Sequence, residues 1–201
     1  MSPKIVDKEI KKQDILKAAV IVFARQGITN TKMIDIAVES GIGKGTIYEY
    51  FSSKDEIIKE AFRSYIARMD EVSIDHMEKT TNPVDKICNI IDGWMDIVLS
   101  SYEESKLIID FWAHGLYLDY MVNEFDLKEL YNKFRIFLSM IIEQGISEEK
   151  ISPVDSNLMA SLIIATLDGL VLHCIIGKEL FDLKDAVELF KKSTLEPLRN
   201  V

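Results

Sequence analysis

The run from Thr31 to Phe51, TKMIDIAVESGIGKGTIYEYF, decides the fold. Two short apolar-periodic segments, about residues 32–40 and 44–51, flank Gly41. Helices joined this tightly pack at a steep angle only under three conditions. A small residue must stand where one helix crosses the other, and Ala37 supplies it. The turn needs a residue that tolerates positive φ, which is Gly41. Apolar side chains must fill the wedge, and Ile36, Ile42, Ile47 and Tyr50 stand at suitable spacing. The pattern is that of a helix-turn-helix, whose second helix enters the DNA major groove while the first crosses the backbone.

The residues left outside the wedge carry the expected chemistry. Gly43 and Gly45 let main chain approach DNA closely, Lys44 reaches a guanine edge or a phosphate, and Thr46 meets a thymine methyl or a phosphate. Tyr48 offers a hydroxyl to phosphate, and Thr31, Lys32 and Tyr50 complete the expected contact set. Lys54, with the free N–H groups opening the next helix, makes a further phosphate site. The same glycines suggest a nucleotide-binding loop only faintly, because the upstream Gly of GxxxxGK[ST] is missing and no strand precedes it. The chain has no GxSxG, HExxH or Glu-x-x-His motif, and its three histidines, His76, His114 and His173, are scattered. We therefore expect no enzyme, no metal site and no cofactor.

Working outward, apolar periodicity predicts an all-α chain of about nine helices. The first spans about residues 9–26, with Gly27 as its left-handed stop. Thr31 is the expected cap of the second. The fourth runs from about Lys54 to Met77. Asn82-Pro83 restarts the chain for a helix to about Leu99, and shorter helices follow at about 105–115 and 126–144, with Gly145 as a stop. Ser152–Asp155 opens a helix reaching Ile176, and the last spans about 183–195. We expect a helix-turn-helix domain over 1–53 and a helical ligand-binding and dimerisation domain over 54–201.

The net charge of −9 argues at first against nucleic acid. Residues 1–54, however, carry nine basic groups and six acids, whereas the remainder carries 15 and 27. A basic head on an acidic body lets one end approach DNA. The apolar run Leu158–Ile176 is long enough to span a bilayer, but a mid-span Asp168 would cost about 2.5–3.5 kcal/mol. No signal-peptide core precedes the first helix. A cytoplasmic protein with no membrane partner is expected, with Cys88 and Cys174 as reduced thiols. The alternative for the cysteines, a redox-sensing pair, has no spacing signal in its support.

Ile15-Leu16-Lys17-Ala18-Ala19 with Phe23 and Gly27, then Asp35-Ile36-Ala37, Gly41, and Lys44–Phe51 with Lys54, resemble the N-terminal DNA-binding domain of the TetR family. The resemblance covers about residues 10–60. It departs at Lys32, where the family often has a second Thr, and at Glu49, a variable position where an acid selects a cytosine amino group or repels phosphate. What the resemblance implies is a repressor that binds a palindromic operator on double-stranded DNA as a homodimer, joined through its last two long helices. It also implies release by a small, largely apolar effector held in the C-terminal domain. Pocket candidates are Trp94, Phe111, Trp112, His114, Tyr117, Phe134, Asp168 and His173. Asp168 has three readings: it binds a helix end, meets a partner across the dimer, or faces a cationic ligand. The competing reading of the whole chain is a helical small-molecule-binding or interaction protein without specific DNA binding.

Overall fold

The computed structural model describes residues 3–100, 105, 107, 109–110, 127–177 and 179–200. Eight α-helices stand among them: α1 (Pro3–Gln26), α2 (Met33–Glu39), α3 (Lys44–Ile47), α4 (Lys54–Met77), α5 (Pro83–Ser100), α6 (Leu127–Ser147), α7 (Ser156–Ile176) and α8 (Leu183–Phe190). Of the helix expected over 105–115, Ser105, Leu107, Ile109 and Asp110 are described, and each is helical. The described residues form no strand, only an isolated bridge between Ile151 and Arg199. They fall into two compact units. One holds the described residues up to Arg68 and between 103 and 117; the other holds those of 69–102 and 118–201.

The first unit is built on α1, which begins six residues before the expected Glu9. Its stripe Ile15, Ala18, Ala19, Val22 and Phe23 is buried, as are Ile57, Ile58, Ala61 and Phe62 on α4. Gly27 ends the helix at φ 78°, its N–H donating to the Phe23 carbonyl at 2.7 Å. The expected cap of α2 is corrected. Lys32, not Thr31, is the N-cap, and its N–H donates to the Asp35 carboxylate at 2.8 Å. The Asp35 N–H, which a capping side chain would accept, donates to the Lys32 carbonyl at 3.0 Å, while the Asp35 carboxylate reaches back to the Lys32 N–H.

In the second unit, Asn82 caps α5 by accepting from the Val84 N–H at 2.9 Å, with Pro83 at the first helical position. Gly145 does not stop α6, which continues to Ser147; the left-handed residue is Glu149, at φ 57°. Gly145 is small for another reason: a Cβ there would lie 2.5 Å from Ile151 Cδ1 and 3.0 Å from Pro83 Cβ. Asp155 caps α7 by accepting from the Leu158 N–H at 2.9 Å. The last helix changes register before its expected end, passing into a π turn over Lys191–Leu195 and a 3₁₀ turn over Glu196–Leu198. Lys191 is buried in that turn, its ammonium held between Asp92 and Glu188. One core runs through α5, α6, α7 and α8, including Ile87, Ile91, Trp94, Leu138, Ile142, Ile163, Leu167 and Val187.

At Gly93, α5 lies against α4. A Cβ there would sit 2.2 Å from Val72 Cγ1 and 3.1 Å from His76 Cε1. Gly93→Ala should therefore lower the unfolding free energy by about 1–3 kcal/mol through overpacking. Adding Val72→Ala should restore part of that loss, read from urea-denaturation midpoints of the single and double variants.

Candidate nucleic-acid interface and ligand clefts

The turn between α2 and α3 closes by two crossed hydrogen bonds. The Ile42 N–H donates to the Ala37 carbonyl at 2.9 Å, and the Gly41 N–H donates to the Val38 carbonyl at 3.1 Å. This is a Schellman arrangement, and it requires the left-handed φ of 68° found at Gly41. Ile36, Ala37 and Ile47 are fully buried within the wedge, while Ile42 and Tyr50 are half-buried. α3 itself is only four residues, shorter than expected. Its helical bonding continues as tight turns, with Tyr48, Glu49 and Tyr50 N–H groups donating to carbonyls three residues back.

Gly43, Lys44, Gly45 and Tyr48 are exposed together on this short element, and Thr46 is half-buried beside them. Lys32 is exposed at the start of α2. Thr31 stands apart from the set. It is 2% exposed and its hydroxyl donates to the Gly27 carbonyl at 2.7 Å, so this side chain turns into the protein instead of towards DNA. Lys54 also differs from expectation: its ammonium donates to the Ile28 carbonyl at 2.7 Å, tying the start of α4 to the loop after α1. The expected phosphate site at the start of α4 holds the chain's own anion. Glu56 accepts from the Ser52 N–H and hydroxyl, each at 2.7 Å, and those bonds hold its carboxyl below the usual carboxylate range. The Ser53 hydroxyl accepts from the Glu56 N–H at 3.1 Å, completing the cap.

Among the described residues, the pocket candidates Phe134 and Asp168 line different clefts. Phe111, Trp112, His114 and Tyr117 lie outside the described residues. Trp94 and Phe134 meet edge to face, with ring centroids 5.6 Å apart, and the Trp94 indole N–H donates to the buried Ser73 hydroxyl at 2.8 Å. Beside them a cleft of about 250 Å³ is lined by Ser73, Ile74, Phe134 and Phe137, with Asp70 and Lys133 paired at 2.6 Å on its wall. Asp168 lines a different cleft between α6 and α7, where the Tyr131 hydroxyl bonds it and burial raises its carboxyl above the usual range. His173, also a pocket candidate, is exposed on α7. The Tyr131–Asp168 pairing carried no sequence signal, because no spacing relates two helices that meet only on folding.

The half-buried Cys88 thiol is pushed up to about 11 by burial. Roughly one such thiol in ten thousand is ionised at pH 7, which makes it a poor redox nucleophile.

Two family models match the chain. The one described as bacterial regulatory proteins, tetR family, covers residues 15–61; the one described as BetI-type transcriptional repressor, C-terminal, covers residues 83–195. The fatty acid metabolism regulator protein of Bacillus subtilis (strain 168) is 29% identical over 182 residues, covering 88% of this chain and 89% of that protein. The solved fatty acid degradation regulator FadR of Bacillus halodurans superposes with a TM-score of 0.80 at 20% identity, covering 100% of this chain and 99% of its own. A transcriptional regulator of Saccharomonospora viridis, solved in complex with choline, gives 0.77 at 18% identity, covering 94% and 96%.

Lys54→Met would remove the cation that the Ile28 carbonyl accepts. Net loss of such a charge-assisted bond is about 1.5 kcal/mol, so the thermal midpoint should fall. An unchanged midpoint would return Lys54 to a purely DNA-facing role.

Proposed function

The chain belongs to the TetR family of bacterial regulatory proteins, and on that premise we propose that it is a ligand-responsive repressor. Its N-terminal helix-turn-helix binds a palindromic operator, two copies act together, and a small effector releases them. The observation that carries this reading is the α3 surface: Lys44, Gly45 and Tyr48 stand exposed on a helix anchored by the fully buried Ile47. The proposed contact residues are Lys32, Gly43, Lys44, Gly45, Thr46, Tyr48 and Tyr50. The proposed functional division assigns 1–53 to DNA and 54–201 to effector and partner.

Support for a homodimer comes from α7. Leu158, Leu162, Ala165, Gly169, Leu172 and Ile176 recur at alternating steps of four and three, the spacing of a helix-packing seam. Leu158, Leu162 and Ile176 are 61%, 52% and 69% exposed. Gly169 has no atom within 4 Å of its would-be Cβ, so nothing in its own subunit requires a glycine. A partner backbone crossing there would. Leu189 on α8 is exposed as well, extending the proposed interface to the last helices. α7 is long and apolar enough to cross a membrane, but Asp168 and this seam favour a protein partner in the cytoplasm.

The effector is proposed to be small and largely apolar, held in the second unit near Trp94 and Phe134. Relatives named for fatty acid regulation, and a neighbour solved with choline, are consistent with effectors of this size. Effector binding would favour a conformation of α4 in which the two α3 helices no longer match half-sites about 34–36 Å apart.

Replacing Lys44, Thr46 or Tyr48 by Ala should weaken operator binding by roughly tenfold each. The fold should stay intact, and loss of the Lys44 charge should flatten the dependence of affinity on salt. Three variants with unchanged affinity at fixed salt would remove α3 as the recognition element. For the interface, Leu158→Glu with Leu162→Glu should convert the dimer to monomer in sedimentation and abolish operator binding. Wild-type protein that sediments as a monomer at micromolar concentration would sink the dimer reading.

A further inference from the structure

The run 31–51 contains three acids, Asp35, Glu39 and Glu49. Asp35 accepts from the Lys32 N–H and the Gln26 side chain, and Glu39 pairs with Arg25 at 3.1 Å. Glu49 is exposed, and among the described residues its carboxylate has no hydrogen-bond or ionic partner. Its place on this short element is set by Ile47, which is fully buried. At 3.0–3.6 residues per turn, positions two before and two after a buried anchor lie about 120–160° round from it. Those positions are Gly45 and Glu49, which therefore share the middle of the solvent face, with Lys44 and Tyr48 to one side and Thr46 to the other. Gly45 has no atom within 4 Å of its would-be Cβ, so nothing among the described residues requires a glycine there. A glycine inside a helix is less stable than an alanine. A body from outside that comes close to the main chain would account for it, and Glu49, one turn further on, faces the same approach.

Resting on the DNA-binding reading, we propose that Glu49 is the specificity-determining residue of the α3 surface. Its carboxylate accepts a hydrogen bond from the exocyclic amino group of one cytosine in each operator half-site. An ionised carboxylate only accepts. In the major groove guanine presents two acceptors, and thymine an acceptor and a methyl group, so neither offers it a donor. Adenine sets its amino donor beside the N7 acceptor, which repels the second carboxylate oxygen; cytosine presents its amino donor without that neighbour. The guanine paired with this cytosine presents O6 and N7, acceptors of the kind a lysine takes, and Lys44 is exposed on the same element. Against phosphate the Glu49 charge is repulsive, so it lowers affinity for non-specific DNA while it selects cytosine.

The experiment selects duplexes with a randomised core on the full chain and on its Glu49→Gln and Glu49→Ala variants, then measures affinities for the selected duplexes at fixed salt. Wild type should require a C·G pair at one symmetric position per half-site, binding duplexes with T·A there at least about tenfold more weakly. Glu49→Gln should move that position towards A·T, since glutamine pairs with N6 and N7 of adenine. Glu49→Ala should lose the preference at that position alone. In both variants the other positions and the melting profile should stay as in wild type, because the side chain is exposed and unpartnered. Tighter binding of both variants to every duplex by one common factor, with base preferences unaltered, overturns the proposal and leaves Glu49 as a group that repels phosphate. So does a wild-type selection in which no C·G position responds to Glu49. A wild type that selects no sequence at all overturns the repressor reading and this proposal with it, an outcome distinct from failure of the Glu49 contact alone.

Discussion

The elbow formed by Ala37, Gly41 and Ile47 is the constraint on which the proposed activity depends. A four-residue helix has no independent stability, since nucleating a helix costs more than so few hydrogen bonds return. α3 exists because Ile47 is fully buried beneath it and because the Ala37 and Val38 carbonyls clamp the turn before it. An L-residue at the left-handed Gly41 would cost about 1–2 kcal/mol, in a turn with no spare length to relax. Two cations then serve the fold: Lys12 lies over the Phe51 ring at 5.3 Å, and Lys54 ties α4 to the Ile28 carbonyl. The proposed recognition surface is thus a product of tertiary packing, with little contribution from local helix propensity.

The same unit shows how a chain of net charge −9 keeps a face suited to DNA. Its acids are turned to structural use. Asp35 accepts from the Lys32 N–H and from the Gln26 side chain, Glu39 pairs with Arg25 at 3.1 Å, and Glu56 fills the α4 N-terminus. Each satisfies a donor that folding would otherwise leave exposed at a helix end or surface. Lys32 and Lys44 remain exposed there, with Glu49 beside them. Local arrangement of charge, more than its sum, governs how such a surface meets phosphate.

What the sequence disclosed follows the range over which each rule acts. The helix-turn-helix was legible because its determinants lie within twenty-one consecutive residues and each answers a local steric demand. Gly27 and Gly41 do take positive φ, and Asn82-Pro83 does open a helix. Errors arose where a local signal had a distant cause. Gly145 carries the residue type of a helix stop, but is small because Ile151 and Pro83 press on it. Thr31 has the side chain of a cap, yet the Gly27 carbonyl claims its hydroxyl. The pocket was the least legible part, because aromatic residues at helical spacing, such as Trp94, say only that a face is buried.

α7 shows how far a pattern can carry when both faces of a helix are apolar. Ala160, Ile163, Leu167, Val171 and Cys174 form the stripe buried in the subunit's own core. Leu158, Leu162 and Ile176 lie on another, exposed stripe, and leaving three such side chains in water forgoes about 1.5–3 kcal/mol apiece. Between the stripes run Asn157, Ser161 and Asp168, the polar seam along α6, where Arg135 donates to the Asn157 side-chain Oδ1 and Tyr131 bonds Asp168. Asp168 therefore answers to a neighbour within its own subunit. Its raised carboxyl pKa reflects desolvation that the single phenol only partly offsets. A membrane would offer both stripes the same solvent and leave that seam without a purpose; the proposed second subunit would give the two apolar faces different partners and keep the polar line between them.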